Sequence, residues 1–416
     1  MYELRRPSAH LRFAERTEWA SQGTAWSRAL ETRRQSGLPI LDLTASNPTQ
    51  CGFMYDENLL AGLSAENASV ENASVYDPDP RGMLDARQAV CGYYADHGAS
   101  IEADQIVLTT STSEGYSWLF RLLCNPGDNV LIAQPSYPLF DLLATIDDVQ
   151  LTPYGLLYDP GGGRDGSHGW NLDLHTLGQR VTPHSRAVIV VHPNNPTGHY
   201  TSPAEREALS ELCRERGLAL IVDEVFLDYP FADASAGLTH SFTRGEQKAL
   251  TFVLSGLSKV AALPQMKASW MVCLGPEEVR NEAMRRLEII ADTFLSMNAP
   301  VQHALPGWLA GRHAIQRQLR DRVQRNLEAL DGALVPQHQI SRLACDGGWY
   351  ATLRTPPFAT GEALAVRLLE RCGIAVHPGS FFGFAEQNRL VVSLLPKPEV
   401  FAEGIAVLIG EAGREA

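Results

Sequence analysis

The stretch AVIVVHPNNPTGHYTSPAEREALSELCRERGLALIVDEVF (187–226) decides the fold class. It opens with an aliphatic run, passes through a segment of helical length that ends on Gly217, and closes on a second aliphatic run. Apolar runs bounded by turn residues are typical of buried strands, and a glycine is the usual residue directly after a helix. The stretch therefore predicts one strand–helix–strand unit.

The same alternation continues on both sides of this unit, from about residue 100 to about residue 300. Segments of helical length, such as EGYSWLFRLLC (114–124), separate short runs of aliphatic or β-branched residues. The clearest strand candidates are IVLTT (106–110), NVLIAQ (129–134), AVIVVH (187–192), LALIVD (218–223) and TFVLS (251–255). This alternation predicts an α/β fold with a mainly parallel sheet that helices cover on both faces.

The two ends of the chain have a different pattern. The last hundred residues predict an α+β segment with helices and short strands at 312–331, 347–354, 362–373, 374–378 and 389–395. The first fifty supply only a helix at 24–37 and a strand at 40–44, too little to bury a core alone. We therefore expect an N-terminal segment (1–60) that packs on a small C-terminal domain (306–416), and a large domain (61–305) between them. A short duplication, ENASV at 66–70 and 71–75, is interpreted as a local insertion.

Composition excludes several classes of protein. The formal charge of -13 argues against nucleic acid or an anionic membrane as the main partner, because both would repel the average surface. The seven cysteines are scattered singly, which fits neither a disulfide framework nor a zinc site, and no metal is expected. We find no signal peptide and no run of about 18 apolar residues, so the cytoplasm is the expected compartment.

Polar side chains follow the strands of the predicted sheet. Ser111-Thr112-Ser113, Asn195, Asp223 and Lys259 each come at or just after the end of a strand. In an open α/β sheet, ligands bind beyond these carboxyl ends. Hydroxyls at a helix start, an amide, a carboxylate and a lysine are the groups needed to hold an aldehyde cofactor with a pyridine ring and a phosphate.

Each group alone also has a simpler interpretation. Ser111 and Glu114 match a helix-capping box, Asp223 could cap a turn, and Lys259 could be a solvated surface lysine.

Taken together, the motifs resemble the class I/II aminotransferases of pyridoxal phosphate (PLP) fold type I, over essentially the whole chain. The matching segments, in the family's order, are YDPDPRG (76–82), QPSYPLF (134–140), HPNNPTG (192–198), DEVF (223–226), SGLSK (255–259), PGSFFG (378–383) and NRLVVSL (388–394). The resemblance implies a seven-stranded type of sheet in the large domain, which binds the PLP. It also implies a smaller α+β domain formed by the two ends of the chain.

The resemblance further assigns roles to residues. Lys259 would be the Schiff-base lysine that also moves the proton, which requires an amine that is neutral part of the time. Asp223 would keep the pyridine nitrogen protonated, Asn195 would bind the ring hydroxyl, and Tyr137 would stack on the ring. The phosphate would be bound by Ser111, Thr112, Ser113, Ser255 or Ser258, Lys267, and Tyr76 of a partner subunit. A homodimer with shared active sites is thus implied.

The substrate would be bound mainly by Arg389, which would grip its α-carboxylate in a two-pronged hydrogen bond. Asn195 and Ser46, in the SNP segment (46–48), would border the same site. The implied reaction moves an amino group between an amino acid and a 2-oxo acid. Five aromatic residues suggest an apolar or aromatic substrate side chain: Trp349, Tyr350, Phe381, Phe382 and Phe384.

Three residues depart from the family's pattern. Lys267 stands where the family usually has a phosphate-binding arginine, which keeps the charge but loses the planar fork. Phe226 replaces a tyrosine that would bind the ring oxygen, and Ser46 replaces a glycine at the substrate mouth.

Two alternatives remain. A PLP-dependent lyase or another fold-type I enzyme would use the same cofactor residues and differ in how the substrate is oriented. A PLP-binding transcription regulator would need a DNA-binding module and a basic patch, which the acidic charge and the short N-terminal segment disfavour.

Overall fold

The computed structural model describes residues 13–18, 23–60, 63, 76–160, 169–231, 237–334, 339–357 and 359–412. The ENASV duplication lies outside these residues.

Strands and helices alternate through the middle of the chain. The strands are β1 (Leu41–Asp42), β2 (Ile106–Thr109), β3 (Asn129–Gln134), β4 (Gln150–Tyr158), β5 (Trp170–Leu172), β6 (Ser185–Val191), β7 (Ala219–Asp223), β8 (Thr251–Gly256), β9 (Ser269–Leu274), β10 (Ser341–Arg342), β11 (Tyr350–Arg354), β12 (Ile374–Ala375), β13 (His377–Pro378) and β14 (Arg389–Ser393). The α-helices are α1 (Ala25–Gln35), α2 (Leu84–Asp96), α3 (Thr112–Leu123), α4 (Leu139–Ile146), α5 (Leu174–Arg180), α6 (Pro203–Arg216), α7 (Leu257–Val260), α8 (Glu277–Phe294), α9 (Ala299–Ala333), α10 (Gly361–Arg367) and α11 (Pro398–Ala412). Short 3-10 turns occur at Glu15–Thr17, Pro48–Gln50, Ala103–Gln105, Pro264–Met266 and Gly379–Phe382, and a π-helical turn at Leu368–Cys372.

The large sheet has the strand order β2-β9-β8-β7-β6-β3-β4-β5. Neighbours from β8 to β4 pair in parallel, whereas β9 and β5 run antiparallel to their neighbours. The predicted α/β class with a mainly parallel sheet is confirmed. In the described part of the chain the sheet has eight strands rather than seven, because the three-residue β5 adds to its edge beside β4.

Burial of both faces explains the continuous aliphatic runs. Leu220 and Val222 of β7 belong to one hydrophobic cluster, and Ile221 belongs to the cluster on the opposite face. This alternation follows from the two-residue period of a strand, whose successive side chains point to opposite faces.

The two ends of the chain share a third hydrophobic cluster. It combines Trp26 and Leu43 from the N-terminal segment with Leu353 and Phe401 from the C-terminal segment. The sheet here is antiparallel in the order β10-β11-β14-β13, and β1 pairs in parallel with β12. A smaller α+β unit built from both ends, as predicted, is therefore observed.

The predicted helix at 312–331 is much too short, because α9 begins at Ala299. Pro306 and Gly307, two residues that disfavour a helix, lie inside α9, so the sequence pattern predicts a helix only after them. A proline removes only one helical hydrogen bond directly, and here the buried Leu305 and Trp308 stabilise the turn around it. The strand predicted at 374–378 is divided into β12, which pairs with β1, and β13, which pairs with β14. The remaining predicted elements differ mainly at their ends; α3, for example, begins at Thr112 rather than at residue 114.

Within the described residues, no helix combines the length and the apolar character that crossing a bilayer requires.

Candidate active site

The carboxyl ends of five strands meet at one edge of the large sheet. Strands β3, β6, β7 and β8 run in the same direction. Strand β2 runs the same way, because β9 pairs antiparallel with both β2 and β8. The segments that follow these strands carry Ser111, Tyr137, Asn195, Asp223 and Lys259. The topology thus brings the main predicted site residues to one edge.

Asp223 is the buried last residue of β7. Its Oδ1 accepts a hydrogen bond from the Val225 N–H at 3.0 Å, and its Oδ2 accepts one from the Tyr116 hydroxyl at 3.2 Å. Burial raises the pKa of Asp223 to about 6, although both hydrogen bonds and the nearby Lys259 act to lower it. A cation placed beside this carboxylate would restore its charge.

Lys259 lies in the single turn α7, directly beyond β8. Its Nζ is 5.7 Å from the ring centroid of Phe226 and 5.5 Å from that of Trp349. Burial lowers the pKa of Lys259, and only the nearby Asp223 opposes this shift. A lowered pKa is the direction that a nucleophilic lysine requires.

The backbone of α7 is anchored by side chains from other segments. The Tyr229 hydroxyl donates to the Lys259 main-chain carbonyl at 2.6 Å, and Gln316 Nε2 donates to the carbonyl of Val260 at 2.8 Å. The hydroxyl hydrogen of Tyr229 is therefore used in a hydrogen bond to the Lys259 backbone.

Several buried polar atoms near the strand ends lack partners among the described residues. Asn195 Oδ1 and Ser255 Oγ are both inaccessible and form no hydrogen bond with the described residues. Leaving a buried polar group unpaired costs about 1–3 kcal/mol, so these two atoms are available to a polar ligand. Together with Asp223 and Lys259, they fit a cofactor that has a pyridine ring and several oxygen atoms.

Tyr137 and Ser46 both lie close to Tyr350. Tyr137 keeps 44% of its surface exposed, which leaves a ring face open for stacking. Burial raises the pKa of Tyr350 to about 12, while a hydrogen bond with Ser46 opposes the shift and the nearby Tyr137 adds to it. Asp223 likewise raises the pKa of Tyr137, after the larger effect of burial. Ser46, Tyr137 and Tyr350 thus form one group, and Tyr137 connects this group to Asp223.

The start of α3 combines capping with free donors. Ser111 Oγ accepts a hydrogen bond from the Glu114 N–H at 3.1 Å, as in a capping box. The reciprocal half is absent, because Glu114 binds the N–H and hydroxyl of Thr110 instead. Thr112 and Ser113 occupy the first turn of α3 and are partly buried, as is Ser258 in α7.

The other two predicted phosphate ligands, Lys267 and Tyr76, are exposed. Lys267 is exposed at a left-handed backbone position with φ 52°, and it forms no ion pair with any residue that the structure describes. Tyr76 is 81% exposed and lines a cavity of about 810 Å³ between residues 76–86 and 291–306.

Arg389 is the buried first residue of β14. Gly379 packs so closely on it that a Cβ there would lie 2.5 Å from the Arg389 Cβ. The loop that contains Gly379 also contacts the turn before Tyr137, because the Ser136 N–H donates to the carbonyl of Phe382 at 2.9 Å. Burial lowers the pKa of Arg389, and Glu386 opposes the shift.

Tyr116 is a site residue that the sequence did not predict. It is buried, and it lies 107 positions from its hydrogen-bond partner Asp223. The one available signal is its spacing of four from Thr112, which places both residues on the same face of α3.

Comparisons with known proteins agree with this geometry. The model of the family "Aminotransferase class I and II" matches residues 60–404. The chain is 27% identical to glutamate-pyruvate aminotransferase AlaA of Escherichia coli over 282 residues, 68% of this chain and 66% of that protein. It is 28% identical to the alanine aminotransferase of Mycobacterium tuberculosis over 369 residues, 86% of this chain and 82% of that protein. The solved alanine aminotransferase from Pyrococcus furiosus superposes with a TM-score of 0.81 at 22% identity, covering 96% of this chain and 99% of that one, and so has the same fold.

Proposed function

The chain belongs to the PLP-dependent class I and II aminotransferases, and from this we propose that it moves amino groups between an amino acid and a 2-oxo acid, with Lys259 carrying the cofactor. The observation that supports the assignment best is the buried pair of Asp223 and Lys259 at the sheet edge, beside the unpaired Asn195 and Ser255.

The residues present fit PLP. Asp223 would hold the protonated ring nitrogen, Asn195 the ring hydroxyl, and Tyr137 one face of the ring. Ser255, Ser258 and the first turn of α3 would receive the phosphate. When bound, PLP supplies an aldehyde carbon that takes the amino nitrogen and a ring that withdraws electrons from the substrate Cα.

The chain itself supplies charge and proton transfer. Lys259 Nζ, whose pKa burial lowers, accepts the proton from the substrate Cα. Asp223 maintains the opposite charge at the ring nitrogen, and its hydrogen bonds from Tyr116 and Val225 fix its orientation. Arg389 binds the substrate carboxylate and thereby selects amino acids over simple amines.

The substrate is proposed to be an amino acid with an apolar side chain. Trp349 and Tyr350 form an aromatic wall that also contacts Phe226, and Ser46 adds one polar group at its rim. The relatives named above act, by their names, on glutamate, pyruvate or alanine.

A half-reaction screen tests this function. Single amino acids are added to the holoenzyme, and conversion of the bound cofactor to its amine form is followed by absorbance. Conversion by at least one amino acid, reversed by a 2-oxo acid, is the expected result. Release of pyruvate or ammonia without that conversion would instead identify a lyase.

A homodimer with shared active sites is also proposed. Leu84, an exposed apolar residue, lines the same cavity as Tyr76. Tyr76 would reach the phosphate site of the partner subunit, and Lys267 would approach the phosphate once it is bound. Mixing inactive Lys259→Ala and Tyr76→Phe proteins should restore part of the activity if sites are shared, whereas a monomer would stay inactive.

The division at 60/61 and 305/306 remains a proposal, supported by the hydrophobic cluster that both chain ends share, although residue 306 lies within α9. The cytoplasmic location also stays a prediction.

A further inference from the structure

The guanidinium of Arg389 is held on one side by its neighbour in sequence. Arg389 NH1 donates to Asn388 Oδ1 at 2.7 Å and, more weakly, to the Asn388 main-chain carbonyl at 3.3 Å. Asn388 Nδ2 in turn donates to the carbonyl of Thr355 at 2.6 Å, and the Thr355 N–H donates back to the Asn388 carbonyl at 3.1 Å. Asn388 therefore links the guanidinium to the buried end of the neighbouring strand, β11.

These contacts leave the Asn388 amide one orientation. A main-chain carbonyl can only accept, so the amino group of the amide must face Thr355. Its oxygen then faces Arg389, whose guanidinium can only donate. The amide thus fixes the position of NH1 through two complementary hydrogen bonds rather than through packing alone.

The rest of the guanidinium retains capacity for a ligand. Arg389 Nε is buried without a partner, and NH2 lies 3.6 Å from an oxygen of Glu386, whose side chain is 54% exposed. That distance is too long for a hydrogen bond, so Glu386 is a loosely held counter-ion that an incoming carboxylate can replace.

We propose that Asn388 is a positioning residue that holds the Arg389 guanidinium in the orientation needed to bind the substrate α-carboxylate. This inference rests on the proposed function, in which Arg389 is the carboxylate ligand. This positioning matters because bidentate binding of a carboxylate requires the planar guanidinium to be oriented beforehand.

Spectroscopic titration of the holoenzyme tests the proposal. Two pairs of ligands separate carboxylate binding from general effects: L-alanine with ethylamine, and L-phenylalanine with 2-phenylethylamine. Asn388→Ala should raise the apparent Kd of the responding amino acid about tenfold and leave that of its amine within about twofold. Asn388→Asp should have at least the same effect, because it loses the donor to Thr355 and places a second anion beside Arg389. This variant also serves if the alanine variant does not fold.

The control is Asn326→Ala. Asn326 is buried in the small domain, where its Nδ2 donates to the carbonyls of Leu394 and Pro396, both at 2.8 Å. Its loss should lower the melting temperature without changing the ratio of the two Kd values. An unchanged ratio in both Asn388 variants would overturn the proposal.

Arg389→Ala separates failure of this inference from failure of the proposed function. If Arg389→Ala weakens amino acids and amines equally, Arg389 is not the carboxylate ligand and the proposed function loses its substrate site. If Arg389→Ala is selective, Asn388→Ala should add nothing in that background. A further selective loss in the double variant would show that Asn388 acts independently of Arg389.

Discussion

Asp223 and Glu224 are adjacent, buried carboxylates, yet they belong to different regions of the molecule. Asp223 faces Lys259 and Tyr116 at the sheet edge. Glu224 points to the opposite side, where it accepts hydrogen bonds from the Ser241 hydroxyl at 2.7 Å and the Phe242 N–H at 2.6 Å. Burial raises the pKa of Asp223 to about 6 and that of Glu224 to about 7.

The difference shows that burial and a raised pKa do not by themselves mark a functional site. Glu224 is enclosed by donors from its own chain and by the nearby Arg206, so it joins a loop to the sheet. Asp223 lies near Lys259 and near Tyr137, a tyrosine that is 44% exposed. Proximity to a buried lysine and to an exposed tyrosine, rather than the buried carboxylate itself, distinguishes the site.

The largest expected effect is a difference in PLP affinity between variants of Asp223 and of Glu224. Asp223→Asn should weaken PLP binding by at least about a hundredfold, because it removes the charge partner of the ring nitrogen in a buried setting. Glu224→Gln should change the affinity by no more than about threefold. Equilibrium dialysis of each apoprotein against PLP measures both values, and similar losses in the two variants would erase the distinction.

Two variants of Glu224 separate the effect of its hydrogen bonds from that of its charge. Glu224→Gln removes the buried charge but keeps an acceptor oxygen, whereas Glu224→Ala leaves the Phe242 N–H without its acceptor. Glu224→Ala should therefore have a free energy of unfolding about 2 kcal/mol lower than that of Glu224→Gln, as measured by urea denaturation of the apoproteins at pH 7. A difference below about 1 kcal/mol would show that other groups satisfy this donor.

Asp223→Asn should instead stabilise the apoprotein, by about 2 kcal/mol at pH 8. The folded-state pKa of about 6 lies above the ordinary value of 3.8, so the folded state binds the proton more tightly than the unfolded state. The penalty for charging Asp223 is therefore complete above pH 6 and declines as the pH falls from 6 towards 3.8. Denaturation of both proteins at pH 8 and pH 5 should show the advantage shrinking, whereas a constant difference would exclude this cause.

Much of this contrast could be predicted from the sequence. Lys259 and Asp223 follow aliphatic runs, and parallel strands bring their ends to one edge whatever the detailed packing. Tyr116 and Asn388 could not be predicted, because their roles depend on contacts between segments that only the folded chain brings together.

Other limits have equally physical causes. The start of α9 was obscured by Pro306 and Gly307, which tertiary burial overrides. Lys267 has a left-handed backbone conformation with φ 52°. A sequence pattern does not predict this conformation at a lysine, because it is usually found at glycine. Tyr76 was expected to act across a subunit boundary, so a single chain leaves it outside the site.

A smaller effect is expected from Phe226→Tyr, a substitution close to Lys259. Phe226→Tyr would add a hydroxyl to a ring whose centroid is 5.7 Å from Lys259 Nζ, while the hydroxyl of Tyr229 is already bound to the Lys259 carbonyl. A new donor to the ring oxygen stabilises its anionic form, so the pH midpoint of the cofactor's visible absorbance should fall by about one unit. An unchanged or higher midpoint would mean that residue 226 does not face that oxygen.

The smallest effect concerns a carboxylate that is neither buried nor tightly bound. Glu386→Gln removes the counter-ion 3.6 Å from Arg389 NH2 and should tighten carboxylate binding about twofold to threefold. Titration of the holoenzyme with the responding amino acid at low and at high salt measures the change, which salt should reduce. Weaker binding in the variant would show that Glu386 orients Arg389 rather than competing for it.

The most direct test of the central claim is to identify the lysine that holds the cofactor. The holoenzyme is reduced with borohydride, digested, and its peptides are mapped by mass spectrometry, with Lys259→Ala treated in parallel. The account predicts the pyridoxyl label on Lys259 alone and no label in the variant. Label on Lys267, or label retained by the Lys259→Ala protein, would contradict it.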